Sequence, residues 1–215
     1  MDILTAPLIE IAGIPLTRAE AIGFIVALAS LGLAVRRDLL TFPVGMAAHV
    51  VTMLLMVGYG GFGQVALQLG FIALAGHGWW IWSRHRGSDG RVAVARMGQV
   101  ELIVYPVATL LLAVPVALVY MRSGFGLGAG SALLLTGGVA AQLALNFRRV
   151  ETWIIRVIVD LVALGVFAGY GAWAAVVFHL VFLALAVKGW LDWRRALSAQ
   201  SPPESDAAHS PPAAA

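Results

Sequence analysis

The sequence predicts an all-α integral membrane protein. Seven transmembrane helices are expected, arranged as two parallel three-helix repeats joined by one linking helix, a 3+1+3 plan. Three observations carry this. Only 12% of the 215 residues are charged, 60% are hydrophobic and the mean hydropathy is +0.90, whereas a soluble domain carries about 25% charged residues. Charges are withheld because each one at the centre of a spanning helix costs roughly 2.5–3.5 kcal/mol. Apolar runs close to the roughly 20 residues needed to cross a bilayer recur along the whole chain. Finally, Gly-Trp-x-x-Trp closes two of those runs, as "HGWWIW" (77–82) and "KGWLDW" (188–193), and marks a longer internal repeat.

The elements follow in order. The opening stretch "MDILTAPLIEIAGIPLTRAE" contains Asp2, Glu10 and Glu20 and no basic n-region, so it does not read as a cleaved signal peptide. Residues 1–19 are expected to lie at the extracytoplasmic membrane surface as an amphipathic segment. Spans at 20–36, 41–58 and 62–83 make the first repeat (20–83). The polar stretch "RHRGSDGRVAVAR" then sets a cytoplasmic loop at 84–98, its Gly and Asp marking a linker. A linking helix is expected at 99–121. Spans at 127–146, 150–170 and 172–194 make the second repeat (127–194). The remainder, 195–215, is rich in Pro, Ala and Ser, buries no core and reads as a disordered tail.

Placing the N-terminus outside puts Arg36, Arg37, the basic residues of 84–96, Arg148, Arg149, Arg194 and Arg195 on one side, against Arg18 and Arg122 on the other. The positive-inside rule makes the crowded side cytoplasmic, so the C-terminus is expected inside. The net charge of +3 and pI near 9.8 come from these scattered clusters, not from a stripe that would bind nucleic acid. There is no cysteine, hence no disulfide framework or Cys-based metal site.

Shifting the chain by 111 positions sets Trp82 on Trp193 without a gap. "GYGGFGQVALQLGFIALAGHGWWIW" (58–82) then falls on "GYGAWAAVVFHLVFLALAVKGWLDW" (169–193), about half the positions being identical, and upstream Arg37 meets Arg148, Thr41 meets Thr152 and Phe42 meets Trp153. One linking helix between two three-helix units keeps both in the same orientation. Internal symmetry of this kind is a mark of transporters, whose site lies between the repeats.

Ionisable groups inside a membrane suggest function by default, and here they fall at matched depths. His49 corresponds to Asp160, and Gln68 to His179; Gln142 and Asn146 add polarity to the fifth span, and Glu101 and Tyr105 mark the start of the fourth. Each also has a plain reading. Arg156 and Asp160, four apart, can neutralise one another; Gln142 and Asn146 can bond a neighbouring helix; either histidine can be a packing residue, and Glu101 can reach the headgroups. At 100° per residue, Gln68, Phe71, Trp79 and Trp82 share a helix face, as do His179, Phe182, Trp190 and Trp193. The tryptophans serve either as anchors in the interfacial aromatic belt or as an aromatic lining of the cytoplasmic half of a pathway. Phe42, Trp153, Trp173, Phe178 and Phe182 offer flat faces nearer mid-membrane, suited to a planar ring or to plain packing.

The segments "FPVGMAAHVV" (42–51), "LQLGFIALAGHGWWIW" (67–82) and "ETWIIRVIVDLVALGVFAGYGAWAAVVFHLVFLALAVKGWLDW" (151–193) resemble the PnuC family of vitamin transporters. The resemblance implies seven helices in the 3+1+3 plan and a homotrimer. It also implies facilitated diffusion of nicotinamide riboside across the inner membrane, with a cytosolic kinase trapping the vitamin afterwards. Thiamine or riboflavin is the alternative cargo. It points to Trp153, Asp160, Gln68, Trp79 and Trp82 as site residues and implies no cofactor. The chain departs from the nicotinamide riboside pattern at Ala48 and His49, at Gln64 and at Arg156, all near the expected pathway. The substrate-binding set expected overall is His49, Gln68, Phe71, Gln142, Asn146, Trp153, Asp160, His179 and Phe182.

Rival classes leave weaker traces. Lys188 is the sole lysine and lies in the seventh span, as a retinal protein requires, but it sits close to the cytoplasmic surface and the third span offers no carboxylate counter-ion. His-Glu-x-x-His and Gly-x-Ser-x-Gly are both missing, which argues against an intramembrane enzyme and a metal. A non-transporting receptor or scaffold stays open, and measured flux separates it from a carrier.

Overall fold

A computed structural model describes residues 7–11, 14–58, 62–87, 89–123 and 129–200. The chain opens with two antiparallel strands, β1 (Pro7–Ile11) and β2 (Ile14–Thr17), paired through Ile11 with Ile14 and Ile9 with Leu16. This strand pair is the form taken by the described part of the expected surface segment; residues 1–6 lie outside the description. Seven helices follow: α1 (Arg18–Val35), α2 (Thr41–Gly58), α3 (Phe62–Ser83), α4 (Gln99–Ser123), α5 (Ala129–Asn146), α6 (Thr152–Gly169) and α7 (Trp173–Gln200). Six of them, all but α2, are long and apolar enough to cross a membrane over their described residues, and α2 is apolar over Thr41–Leu54. The helix α7 runs to Gln200, past the expected end at 194; the rest of the expected tail, 201–215, lies outside the described residues.

Local chemistry sets several of the boundaries. Thr17 caps α1 in a capping box: its hydroxyl accepts from the Glu20 amide at 3.3 Å while the Glu20 carboxylate accepts from the Thr17 amide at 2.9 Å. Two orphan donors are thereby satisfied. The helix ends at Arg37, whose φ of 61° is left-handed. There the Asp38 amide reaches back to the Leu33 carbonyl and the Arg37 amide to that of Ala34, the paired bonds of a Schellman motif. At the end of α5 the same two bonds recur, from Arg149 to Ala144 and from Arg148 to Leu145, and Arg148 also has φ 61°.

These contacts repeat at the 111-residue offset, and so do others. The Thr41 hydroxyl donates to the Ser30 carbonyl at 2.8 Å, fastening α2 to α1, and the Thr152 hydroxyl donates to the Ala141 carbonyl at 2.8 Å, fastening α6 to α5. Within each unit the successive helices pack on one another, whereas between units α3 packs on α5 and α1 on α7. The linking helix α4 packs on α5 and leaves Ile103, Leu111 and Val119 among many apolar side chains exposed, as a lipid-facing helix would.

The second tryptophan of each Gly-Trp-x-x-Trp closes the assembly. The Trp82 indole N–H donates to the Leu145 carbonyl at 3.0 Å, and the Trp193 indole N–H donates to the carbonyls of Ala34 and Val35 at 3.1 and 3.2 Å. Each unit therefore caps the last turn of the other unit's first helix, where carbonyls lack α-helical donors. Both indoles are wholly buried and their ring centroids lie 6.0 Å apart. Phe42 meets Trp82 edge-on at 5.0 Å, and Trp153 meets Trp193 edge-on at 5.4 Å. The glycines of the motif make these meetings possible. A Cβ on Gly78 would strike Phe42 and Asn146, and one on Gly189 would strike the Trp153 ring.

The inter-repeat segment completes this end of the molecule. Ala95 exchanges backbone hydrogen bonds with Arg148 and Val150 at 3.0 and 2.9 Å, and Val92 and Val94 are buried with Trp82, Trp153 and Trp193. Arg149 pairs with Glu101 at 3.0 Å. The basic loops thus gather at one end of the bundle. Burial pushes the Arg37 and Arg148 guanidinium groups down from the usual arginine value, the charges of Arg91 and Arg149 respectively adding to the effect.

Candidate functional site

Above the tryptophans a cavity of about 280 Å³ opens between the two units, near the lower end of the range for small-molecule sites. Its wall is built from residues one turn apart on facing helices, and the offset relates the two halves: Ser30 with Ala141, Leu31 with Gln142, Gly45 with Arg156, His49 with Asp160, Phe71 with Phe182. The backbone frame is matched, but the chemistry is not.

Two hydrogen bonds set the polar centre. His49 Nδ1–H on α2 donates to Gln68 Oε1 on α3 at 2.7 Å, and His179 Nδ1–H on α7 donates to Asp160 Oδ1 on α6 at 2.8 Å. The second and third helices of each unit are therefore joined by one side-chain bond at the same register. Phe71 stacks on His49 with centroids 5.2 Å apart. His179 lies between Phe167, stacked at 5.3 Å, and Phe182, edge-on at 5.8 Å. The rings hold the imidazoles in place, which fixes the direction of each N–H.

The structure brings together most of the residues singled out in the sequence. His49, Phe71, Gln142, Asp160, His179 and Phe182 line the cavity, and Gln68 stands directly behind His49. Asn146 does not reach the wall. It is fully buried, accepts from Gln142 at 3.0 Å and donates to the Leu74 carbonyl at 2.8 Å, tying α5 to α3. Trp153 lies below the floor against Trp193, also without exposure. Of the four motif tryptophans, Trp82 and Trp193 sit in the core and not at a lipid interface. Trp79 is 42% exposed, while Arg194 lies over the Trp190 ring, an arrangement suited to the membrane surface. Phe178 stacks on Phe24, and Trp173 is half exposed at the start of α7.

Thr41, legible in the sequence only as a landmark of the repeat, lines the cavity floor together with Phe42, whose ring the sequence offered as a flat face near mid-membrane. Arg156, read both as a partner for Asp160 and as a departure near the pathway, lines the wall; it feels the charge of Asp160 but makes no close ion pair or hydrogen bond with any described residue. The available signal was an arginine in mid-span where the other repeat has Gly45.

A bundle of seven apolar helices enclosing a largely apolar cavity with a few converging polar side chains, between two alike three-helix units, is the architecture of a membrane transport protein. The chain belongs to the nicotinamide mononucleotide transporter family, whose sequence profile matches residues 17–195. It is 30% identical over 182 residues to the riboflavin/roseoflavin transporter RibM of Streptomyces davaonensis, covering 81% of this chain and 84% of that one. The fold is that of a crystal structure of the vitamin B3 transporter PnuC, with a TM-score of 0.63 at 16% identity, covering 85% of this chain and 84% of the other. The protein is thus a multi-pass membrane transporter of the vitamin-transporting class.

Proposed function

We propose that the chain takes up a vitamin-type heterocycle across the inner membrane by facilitated diffusion, the two three-helix units rocking about the central cavity so that it faces each side in turn. The observation that carries this is the cavity itself, walled by matched positions of both units and centred on the His49–Gln68 and Asp160–His179 pairs. Asp160 and the histidines supply hydrogen bonds to the cargo, and Phe71 and Phe182 offer faces to its ring. This makes the chain a carrier, not an enzyme. The Lys/Arg distribution favours an outside N-terminus and a cytoplasmic C-terminus.

Riboflavin is the cargo favoured first, because the relative that carries it is 30% identical over most of both chains. Nicotinamide riboside, trapped afterwards by a cytosolic kinase, is the second reading, supported by the sequence segments that resemble its carriers. Uptake of radiolabelled riboflavin, nicotinamide riboside and thiamine into proteoliposomes decides between them. Saturable entry of riboflavin is expected. Entry of nicotinamide riboside alone would put the second reading first, and no entry of any of the three into vesicles holding folded protein would overturn the proposal. Assembly as a homotrimer is proposed on the family resemblance; a protomer mass in detergent micelles, measured by light scattering, would refute it.

A further inference from the structure

We infer that Arg156 is the specificity-determining group of the cavity, a fixed cationic fork that holds a carbonyl-bearing edge of an uncharged heterocycle and turns away rings with a permanent positive charge. The inference rests on the reading of this cavity as the vitamin site and names the class of cargo it selects.

Several observations converge on it. Arg156 lies on α6 one turn before Asp160 and lines the cavity wall. Its Nε is sealed from solvent and has no hydrogen-bond partner among the described residues, although a buried polar atom in a native structure almost always has one. Asp160, the acid best placed to pair with it, makes its bond to His179 instead. The guanidinium stays charged under any physiological condition, so it cannot escape burial by giving up its proton. Asp160 offsets the charge through space, but the Nε hydrogen is left without an acceptor among the described residues, a cost that is tolerated where a ligand completes the guanidinium's hydrogen bonds. The repeat sharpens the point. The equivalent position is Gly45, where an added Cβ would already crowd the Ser30 hydroxyl at 2.9 Å. Only the second unit has both the side chain and the room for it.

The choice of cargo follows from charge. Asp160 and Arg156 share one wall, so that wall is close to neutral. A phosphate would meet the carboxylate, and a pyridinium or thiazolium ring would meet the guanidinium, like charge against like in a site of low dielectric. An uncharged ring edge bearing carbonyl oxygens meets neither penalty. A carbonyl oxygen of that edge accepts from the guanidinium, while the ring N–H beside it can donate to the carboxylate of Asp160. The ring face then lies against Phe182 and Phe71. Because the first unit offers Gly45 and Leu31 opposite Arg156 and Gln142, the heterocycle has one preferred orientation in a cavity whose frame is nearly two-fold.

The test is equilibrium binding to the purified full-length protein in detergent micelles, with proteoliposome uptake beside it, for wild type, Arg156→Gln and Arg156→Lys. Probes are riboflavin, lumichrome (the flavin ring without its chain), N3-methylriboflavin and nicotinamide riboside. Expected for wild type are binding of riboflavin and lumichrome, weaker binding of the N3-methyl compound, and exclusion of nicotinamide riboside. Arg156→Gln should weaken riboflavin by about 10- to 100-fold, the span of a charge-assisted hydrogen bond, and should admit nicotinamide riboside. Arg156→Lys keeps the charge and loses the fork, so riboflavin weakens while nicotinamide riboside stays excluded. Unchanged riboflavin affinity in Arg156→Gln, with the thermal transition intact, would overturn the role of Arg156 and leave the carrier reading standing. Failure of wild type to bind or transport any of the probes would overturn both.

Discussion

Replacing Asp160 with alanine lowers the initial rate of saturable vitamin uptake in proteoliposomes by about 100-fold or more. The carboxylate is the one acid among the described residues of the cavity wall, it is only 7% exposed, and it holds His179 at 2.8 Å. Its removal takes away an acceptor for the cargo, leaves the His179 N–H without its partner and tips the wall toward the charge of Arg156. A hydrogen bond to a charged group contributes roughly 1.5–3 kcal/mol, and at about 1.4 kcal/mol per factor of ten that alone approaches two powers of ten. Asp160→Asn separates the causes. An amide oxygen still accepts from His179, so the helix pair stays joined while the charge is lost, and a loss of about tenfold is expected. An Asp160→Ala protein that elutes as wild type from gel filtration and transports at nearly the wild-type rate would reduce Asp160 to a packing partner.

Trp193→Ala carries the largest expected effect on stability. The indole is wholly buried, touches Trp82 and Trp153, and caps two carbonyls at the end of α1. Truncating a buried tryptophan typically costs about 3–5 kcal/mol, and here the Ala34 and Val35 carbonyls also lose their cross-unit donor. A membrane protein of ordinary stability, about 5–15 kcal/mol, would then melt far below the wild type in detergent micelles. Trp79→Ala serves as the control, because that ring is 42% exposed; its effect should stay within about 0.5 kcal/mol. Equal losses from the two substitutions would mean that the tryptophans act alike at the membrane surface and that the cross-unit caps contribute little.

The contrast between these two tryptophans shows where the sequence runs out. Gly-Trp-x-x-Trp announces the internal repeat, and helical periodicity places Trp79 and Trp82 on the face of Gln68 and Phe71, and Trp190 and Trp193 on that of His179 and Phe182. Which ring meets lipid and which meets the opposite unit depends on how α1 approaches α7 and α3 approaches α5, and periodicity along one helix contains no information about its neighbour. The same holds for Asn146 and Trp153. Both were readable as site residues from their polarity or their place in the repeat, yet one is consumed in tying α5 to α3 and the other lies beneath the cavity.

What the sequence determined by itself was the helical membrane architecture, because crossing a bilayer is a local demand for about 20 apolar residues in a row. The spans at 41–58 and 62–83 coincide with α2 and α3, and the other ends agree to within a few residues except that of α7. The repeat and the matched depths of His49 with Asp160 and Gln68 with His179 were legible for the same reason, since depth is set by position along a span. Tertiary structure alone decided the pairing: that each histidine bonds the polar residue 19 positions away on the adjoining helix, that Thr41 and Thr152 fasten their units alike, and that Arg156 lines the cavity with its Nε unpartnered among the described residues. Side-chain partnership is a matter of distances between helices, and those distances are fixed only when the helices pack, the glycines at 78 and 189 admitting the rings of Phe42 and Trp153 within their own units.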